Sequence, residues 1–244
     1  MSSEVLRCES LGKAFNGKKV LESFEMSLSE GEVAGIVGPS GCGKTTILRL
    51  IAGLEEASEG RVHGGGRNKR IAFAFQEPRL IPWFTAEQNV DFVLRELYPD
   101  KTERRRRTLE ALEAVELSSA FHLYPDQLSG GMKQRVALAR AFAYDPDVLL
   151  MDEPFAGLDF PLRIQMIDFF NELLKKSRMA VLFVSHDTRE IMHIADRVCI
   201  LNGSPCSIRE VLHLRDKSDR HEHPGYIQKM EEHMLEVMMQ EREK

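Results

Sequence analysis

The stretch Val33-Ala-Gly-Ile-Val37-Gly38-Pro39-Ser40-Gly41-Cys42-Gly43-Lys44-Thr45-Thr46 decides the fold. Its first five residues are apolar throughout, as in strands buried on both faces of a parallel sheet. A helical pattern follows over residues 45–52. Between strand and helix lies G-x4-G-K-T. The glycines let the backbone curl until successive N–H groups point inward at an anion. A helix starting near Lys44 aims its positive end at the same place. Lys44 adds a full charge for the β- and γ-phosphates of a nucleotide, and the Thr45 hydroxyl can ligand Mg²⁺. Residues 38–46 are therefore the expected nucleotide contacts: Gly38, Pro39, Ser40, Gly41, Cys42, Gly43, Lys44, Thr45 and Thr46. Gly64-Gly65-Gly66 has neither a following helix nor a lysine and reads as a loop.

Working outward, residues 70–75, 148–151, 180–184 and 197–201 read as further buried strands. Residues 4–9 and 24–29 alternate more and suggest an antiparallel flank. Leu162, Met166, Phe169, Phe170 and Leu173 recur at helical spacing. Residues 85–144 give helical segments alone, at 86–97, 102–116 and 132–143, which suggests an inserted helical subdomain. The run Arg104–Arg107 within it reads as a solvated helix face. After Gly203 the chain turns polar and ends in a helix-like 226–241, read as an appended tail over 204–244. The core is then 1–84 plus 145–203.

Composition narrows the class. The 244 residues are 43% hydrophobic and 29% charged, which fits a globular protein and argues against wholesale disorder. Net charge is −5, without the basic excess of a chain that lives on nucleic acid. The longest apolar run, Met179–Val184, is far below the ~20 residues of a membrane span. The opening MSSEVLRCES has no signal-peptide core, so a cytoplasmic location is expected. Cys8, Cys42, Cys199 and Cys206 form no CxxC pair and are expected as free thiols. Cys42, at a helix N-terminus among phosphate-directed N–H groups, is expected to have a lowered pKa.

Val148-Leu-Leu-Met-Asp152-Glu153 puts one carboxylate at the tip of a buried strand and a second just beyond it. Asp152 is placed to hold Mg²⁺ beside the phosphate loop. Glu153 is placed to deprotonate an attacking water.

A third motif, Leu128-Ser129-Gly130-Gly131-Met132-Lys-Gln-Arg135, resembles the signature sequence of ABC ATPases, and residues 4–203 then follow that family's pattern. Gln76 resembles the Q-loop glutamine, a further contact to metal and γ-phosphate. Gly157-Leu158-Asp159 resembles the D-loop, and Ser185-His186-Asp187 the switch histidine region. Phe15 resembles the aromatic residue that stacks on adenine, with packing as its alternative reading. Phe15 replaces the commoner tyrosine, and Met132 stands where glutamine is usual. The resemblance implies an α/β P-loop NTPase fold: a mainly parallel sheet, an antiparallel β flank and an inserted helical subdomain. It implies ATP and Mg²⁺, with Lys44, Gln76, Glu153 and His186 in catalysis. It also implies a head-to-tail homodimer, in which Ser129, Gly130 and Gly131 face the partner's ATP, and Asp159 as a further nucleotide contact.

Arg79-Leu80-Ile81-Pro82-Trp83-Phe84-Thr85-Ala-Glu-Gln-Asn89-Val90 is similar to a segment of nitrate/sulfonate/taurine-type importer ATPases, a group that includes transporters of pyrimidine precursors. That implies an integral membrane permease, an extracytoplasmic solute-binding protein reached through it, and a place on the inner face of the cell membrane. Trp83 has two readings, permease contact or buried packing. The rival readings are an exporter or lipid-transport ATPase and a non-transport ABC ATPase. The latter typically carries a coiled-coil insertion, zinc modules or two cassettes.

Overall fold

The computed structural model describes residues 3–64 and 69–240. Two sheets form it. Strand β1 (Glu4–Phe15) turns at Asn16-Gly17 into β2 (Lys18–Ser29). Both turn residues have positive φ, 49° and 80°, the two-residue hairpin geometry that Asn-Gly favours. β1 also pairs antiparallel with β4 (Glu59–His63), giving the order β2-β1-β4.

The larger sheet has the order β5-β6-β7-β3-β8-β9. Its strands are β3 (Val33–Val37), β5 (Ile71–Ala74), β6 (Val148–Asp152), β7 (Ala180–Val184), β8 (Arg197–Asn202) and β9 (Ser207–His213). All neighbours run parallel except β8 and β9. Every residue of β3, β6 and β7 is buried, because side chains leave both faces into separate cores. Val37, Met151 and Phe183 enter the core shared with most of the helices. Ile36, Leu150 and Leu182 enter the core shared with α1 (Lys44–Ile51) and the β1–β2 hairpin.

Between β5 and β6 lie α2 (Ala86–Leu94), α3 (Lys101–Ala114) and α4 (Gly130–Ala143), packed on one another. Their starts are written locally: Thr85 and Gln88 close a capping box, Asp100 caps α3 and Ser129 caps α4. Of the arginine run, Arg105 and Arg106 are exposed, as a solvated face requires. Arg104 departs from that reading: it turns inward to Asp91 at 2.6 Å and to the Tyr98 carbonyl, tying α3 to α2.

Helices α5 (Phe160–Lys176) and α6 (Thr188–Ile194) follow β6 and β7. The residues after Gly203 are more than a tail. They contribute β9 to the main sheet before α7 (Lys217–Glu222) and α8 (Pro224–Met239), and Asn202 binds the last carbonyls of α8. Gly64, with φ 85°, follows β4 in a bend; Gly65, Gly66 and Glu241 lie outside the described residues.

Candidate nucleotide-binding site

The carboxyl ends of the parallel strands gather the chemistry, as open α/β sheets do. At the end of β3 the loop 38–43 turns into α1. A Cβ on Gly38 would lie 2.9 Å from the Leu201 carbonyl oxygen, so only glycine allows the loop this close to β8. Gly43 caps α1 with φ 96°. The Lys44 ammonium curls over the loop and donates to the Gly38 and Pro39 carbonyls at 2.7 and 2.9 Å. Pro39, Ser40 and Gly41 are exposed, and Thr45 and Thr46 half-buried. Cys42 is buried, as are the other three cysteines, so the thiol does not lie open to solvent. Its pKa is lowered, first by a hydrogen bond with the Cys206 thiol, then by Lys44, against burial. The direction follows from the sequence; the leading cause does not.

Asp152 ends β6 and is buried. Burial pushes its carboxyl above the ordinary aspartate range, against the pull of the Thr45 hydroxyl. Thr45, Gln76 and Asp152 line one cavity of 190 Å³ with Arg49, Phe75, Glu77 and Arg79. A hydroxyl, an amide oxygen and a desolvated carboxylate are hard oxygen donors, the set that suits Mg²⁺. No group of three or more His, Cys, Asp or Glu fit for a metal occurs among the described residues, the tail histidines His213 and His223 included. The His221 side chain lies outside the described residues.

Glu153 follows at φ 51°, a left-handed conformation costly for a non-glycine residue. Its N–H is held by the Val184 carbonyl at 3.0 Å. Its Oε2 meets His186 Nδ1 at 2.6 Å, across 33 residues of sequence. His186 itself is largely exposed.

Ser129 and Gly130 are exposed at the start of α4, and the Ser129 hydroxyl accepts from the Met132 N–H. Gly131 faces the Gly157-Leu158 turn. Asp159 caps α5 by accepting from the Leu162 N–H at 3.0 Å. None of these residues lines the 190 Å³ cavity, nor the 240 Å³ cavity that flanks the loop at Pro39–Cys42. Phe15 ends β1 with 40% exposure, and the Lys13 ammonium lies 4.8 Å from its ring centroid. Across the hairpin turn from it, Lys18, Lys19 and Val20 line the 240 Å³ cavity.

Three organising residues have roles that the sequence does not show, although Gln134 and Asn89 stand inside the quoted motifs. Arg140, on α4, donates to the Pro78 and Arg79 carbonyls at 3.0 and 3.1 Å and pins the segment after Gln76. Buried Gln134 donates to the Pro154 carbonyl, just past Glu153. Buried Asn89 accepts from the Ile81 N–H and donates toward the Ile81, Phe84 and Thr85 carbonyls. Asn89 thus closes the turn that carries Trp83, which is 72% exposed; the buried reading of Trp83 does not hold.

The family description "ABC transporter" matches residues 21–156, from β2 through the Asp152-Glu153 turn. The chain belongs to the ABC transporter family. Among similar ABC proteins is an aliphatic sulfonates import ATP-binding protein of Pseudomonas savastanoi pv. phaseolicola, 42% identical over 82% of this chain and 81% of the relative. One of the same name from Xanthomonas axonopodis pv. citri is 37% identical over 98% of each. A solved ABC structure, the dimeric post-hydrolysis state of the cassette MJ0796 bound to ADP and Pi, aligns with a TM-score of 0.79. It is 30% identical over 86% of this chain and 99% of that one. No helix among the described residues is long and apolar enough to cross a membrane.

Proposed function

We propose that this chain is the ATP-hydrolysing subunit of an ABC importer for aliphatic sulfonates or similar small anions. The observation that carries the chemistry is the Glu153–His186 bond at 2.6 Å, beside the cavity of Thr45, Gln76 and Asp152. The import relatives carry the direction and the solute class, and an exporter or non-transport role is not favoured.

The 38–46 backbone and Lys44 bind the β- and γ-phosphates, and Phe15 stacks on adenine. Thr45, Gln76 and Asp152 would hold Mg²⁺, which supplies charge neutralisation for the transferring phosphoryl group. Glu153 takes the proton of the attacking water at its carboxylate, and His186 fixes the orientation of that carboxylate. Ser129, Gly130, Gly131 and Asp159 complete the partner copy's site in a head-to-tail homodimer. Residues 85–144 act as the helical part that carries Trp83's neighbours and the signature, on a core of 1–84 and 145–203. Partners are an integral permease and, through it, an extracytoplasmic binding protein; the subunit works from the cytoplasmic face.

Glu153→Gln tests the central role. It is expected to keep ATP binding and lose hydrolysis by about 10²–10⁴-fold, the usual scale of general-base help. Size-exclusion chromatography should then find an ATP-bound dimer. Wild-type turnover would remove Glu153 from the mechanism. Deleting the gene should abolish growth on an alkanesulfonate, but not on sulfate, as sole sulfur source.

A further inference from the structure

One guanidinium joins two loops that the mechanism uses separately. Arg163 lies on the first turn of α5. Its Nη2 donates to the Leu158 carbonyl at 3.2 Å, and its Nη1 to Asp187 Oδ2 at 3.3 Å. Its buried Nε has no hydrogen-bond partner and stands 3.7 Å from Glu190 Oε1. Glu190 is itself buried and receives the Ser185 hydroxyl at 2.6 Å. The Ser185 oxygen accepts the Asp187 N–H in turn at 3.0 Å. The residues on both sides of His186 are therefore fixed by Arg163 and Glu190, and His186 holds Glu153.

The other end of the fork reaches toward the signature. Leu158 is buried, and its side chain stands 3.5 Å from where a Cβ on Gly131 would be. A contiguous path then runs from Gly131 through Leu158, Arg163 and Asp187 to His186 and Glu153. Contiguous packing of this kind is how a shift at one site reaches another, and coupling measurements decide whether it does.

We propose that Arg163 is a positioning residue that couples the two ATP sites of the dimer. It rests on the shared-site reading above, in which Gly131 serves the partner's ATP while Glu153 and His186 serve the chain's own. When the partner's nucleotide engages Gly131, Leu158 moves with it, and Arg163 transfers that movement to the turn holding His186. The unpaired Nε facing Glu190 is the play in this linkage. A small rotation of the guanidinium toward Glu190 makes that bond and re-sets Ser185 and Asp187 together. Arg163 lines neither the 190 Å³ nor the 240 Å³ cavity.

The test uses Arg163→Lys, Arg163→Met and Glu190→Gln in the full chain. Lysine keeps a charge opposite Asp187 and Glu190 but lacks the planar fork that reaches Leu158 at the same time. Binding of a fluorescent ATP analogue, ATPase kcat and KM, the steepness of the ATP response and the melting temperature are measured together. For Arg163→Lys the expected result is analogue binding within about twofold of wild type and kcat down about tenfold or more, inside the ~10²-fold that a misplacement near 1 Å can cost. The Hill coefficient should fall to about 1, since a coupling free energy between sites has been removed. Combining Arg163→Met with Glu190→Gln should cost less than the sum of the two, because they act on one turn. Unchanged kcat and steepness in Arg163→Lys would overturn the inference. So would a parallel loss of binding, kcat and melting temperature, the mark of a merely structural role. The ATP-bound dimer of Glu153→Gln separates the two ideas. Without that dimer the shared-site reading fails and takes the inference with it. With it, a fully active Arg163→Lys sinks the coupling role alone.

Discussion

Cys42 illustrates how far a residue's chemistry departs from its motif. Its thiol is hydrogen-bonded to Cys206 and lowered in pKa, yet it forms part of the wall of the 240 Å³ cavity beside the phosphate loop. Burial pushes Cys8 up to about 12 and Cys199 up to about 11, which leaves both nearly all protonated at neutral pH. Since the thiolate is the nucleophile, maleimide should label Cys42 first. The adduct would fill the cradle that only backbone and glycine fit, so ATPase activity should fall in step with labelling, and saturating MgATP should slow both. Peptide mass mapping checks the order. Labelling of Cys8 or Cys199 ahead of Cys42, or no protection by nucleotide, would refute this account. The motif made the loop legible residue by residue. It was silent on Cys206, which is more than 160 residues away in sequence and comes near only through the β8–β9 turn.

At the scale of elements, the wholly buried strands were the easiest to read. β3, β6 and β7 are continuous apolar runs because both their faces meet a core. β4 and β9 were not legible: every residue of each is exposed or half-buried, so neither carries a hydrophobic pattern strong enough to announce a strand. The same limit applies to the candidate site. Asp152, Glu153 and His186 are recognisable from their motifs, but the bond joining Glu153 to His186 is a product of β6 and β7 lying side by side. The loop between β5 and α2 depends on one helical side chain, Asn89. Asn89→Ala leaves the Ile81 N–H and three carbonyls without that partner, and each buried group left unsatisfied costs ~1–3 kcal/mol. Thermal unfolding should show destabilisation on the order of 2 kcal/mol in total, since the exposed side of the turn can recruit water. ATP binding, which uses the loop after the interior strand β3, should change little. A melting temperature equal to wild type would mean that the turn holds itself.

At the scale of the whole molecule, the signature and the phosphate loop belong to different packing units. α4 packs against α2, α3 and β5, whereas α1 packs against β6 and β7. Neither cavity beside the loop is lined by Ser129, Gly130 or Gly131. If Ser129 serves the partner's ATP, as proposed, mixing Ser129→Arg subunits with Lys44→Ala subunits places both lesions in one composite site and leaves the other whole. The mixed dimer should recover part of the activity that each parent has lost, measured as phosphate release after subunit exchange. Mixtures as inactive as the parents at every ratio would argue that both sites must be intact for either to fire.

Trp83 is the chain's single tryptophan and stands 72% exposed on a turn that Asn89 holds rigid. The subunit therefore carries a built-in optical reporter, free of background from any other indole. Its emission and its accessibility to a soluble quencher register the solvent at one known place on the surface. Any partner that covers this turn must shift the spectrum toward the blue and shield it from the quencher, without a label or a substitution.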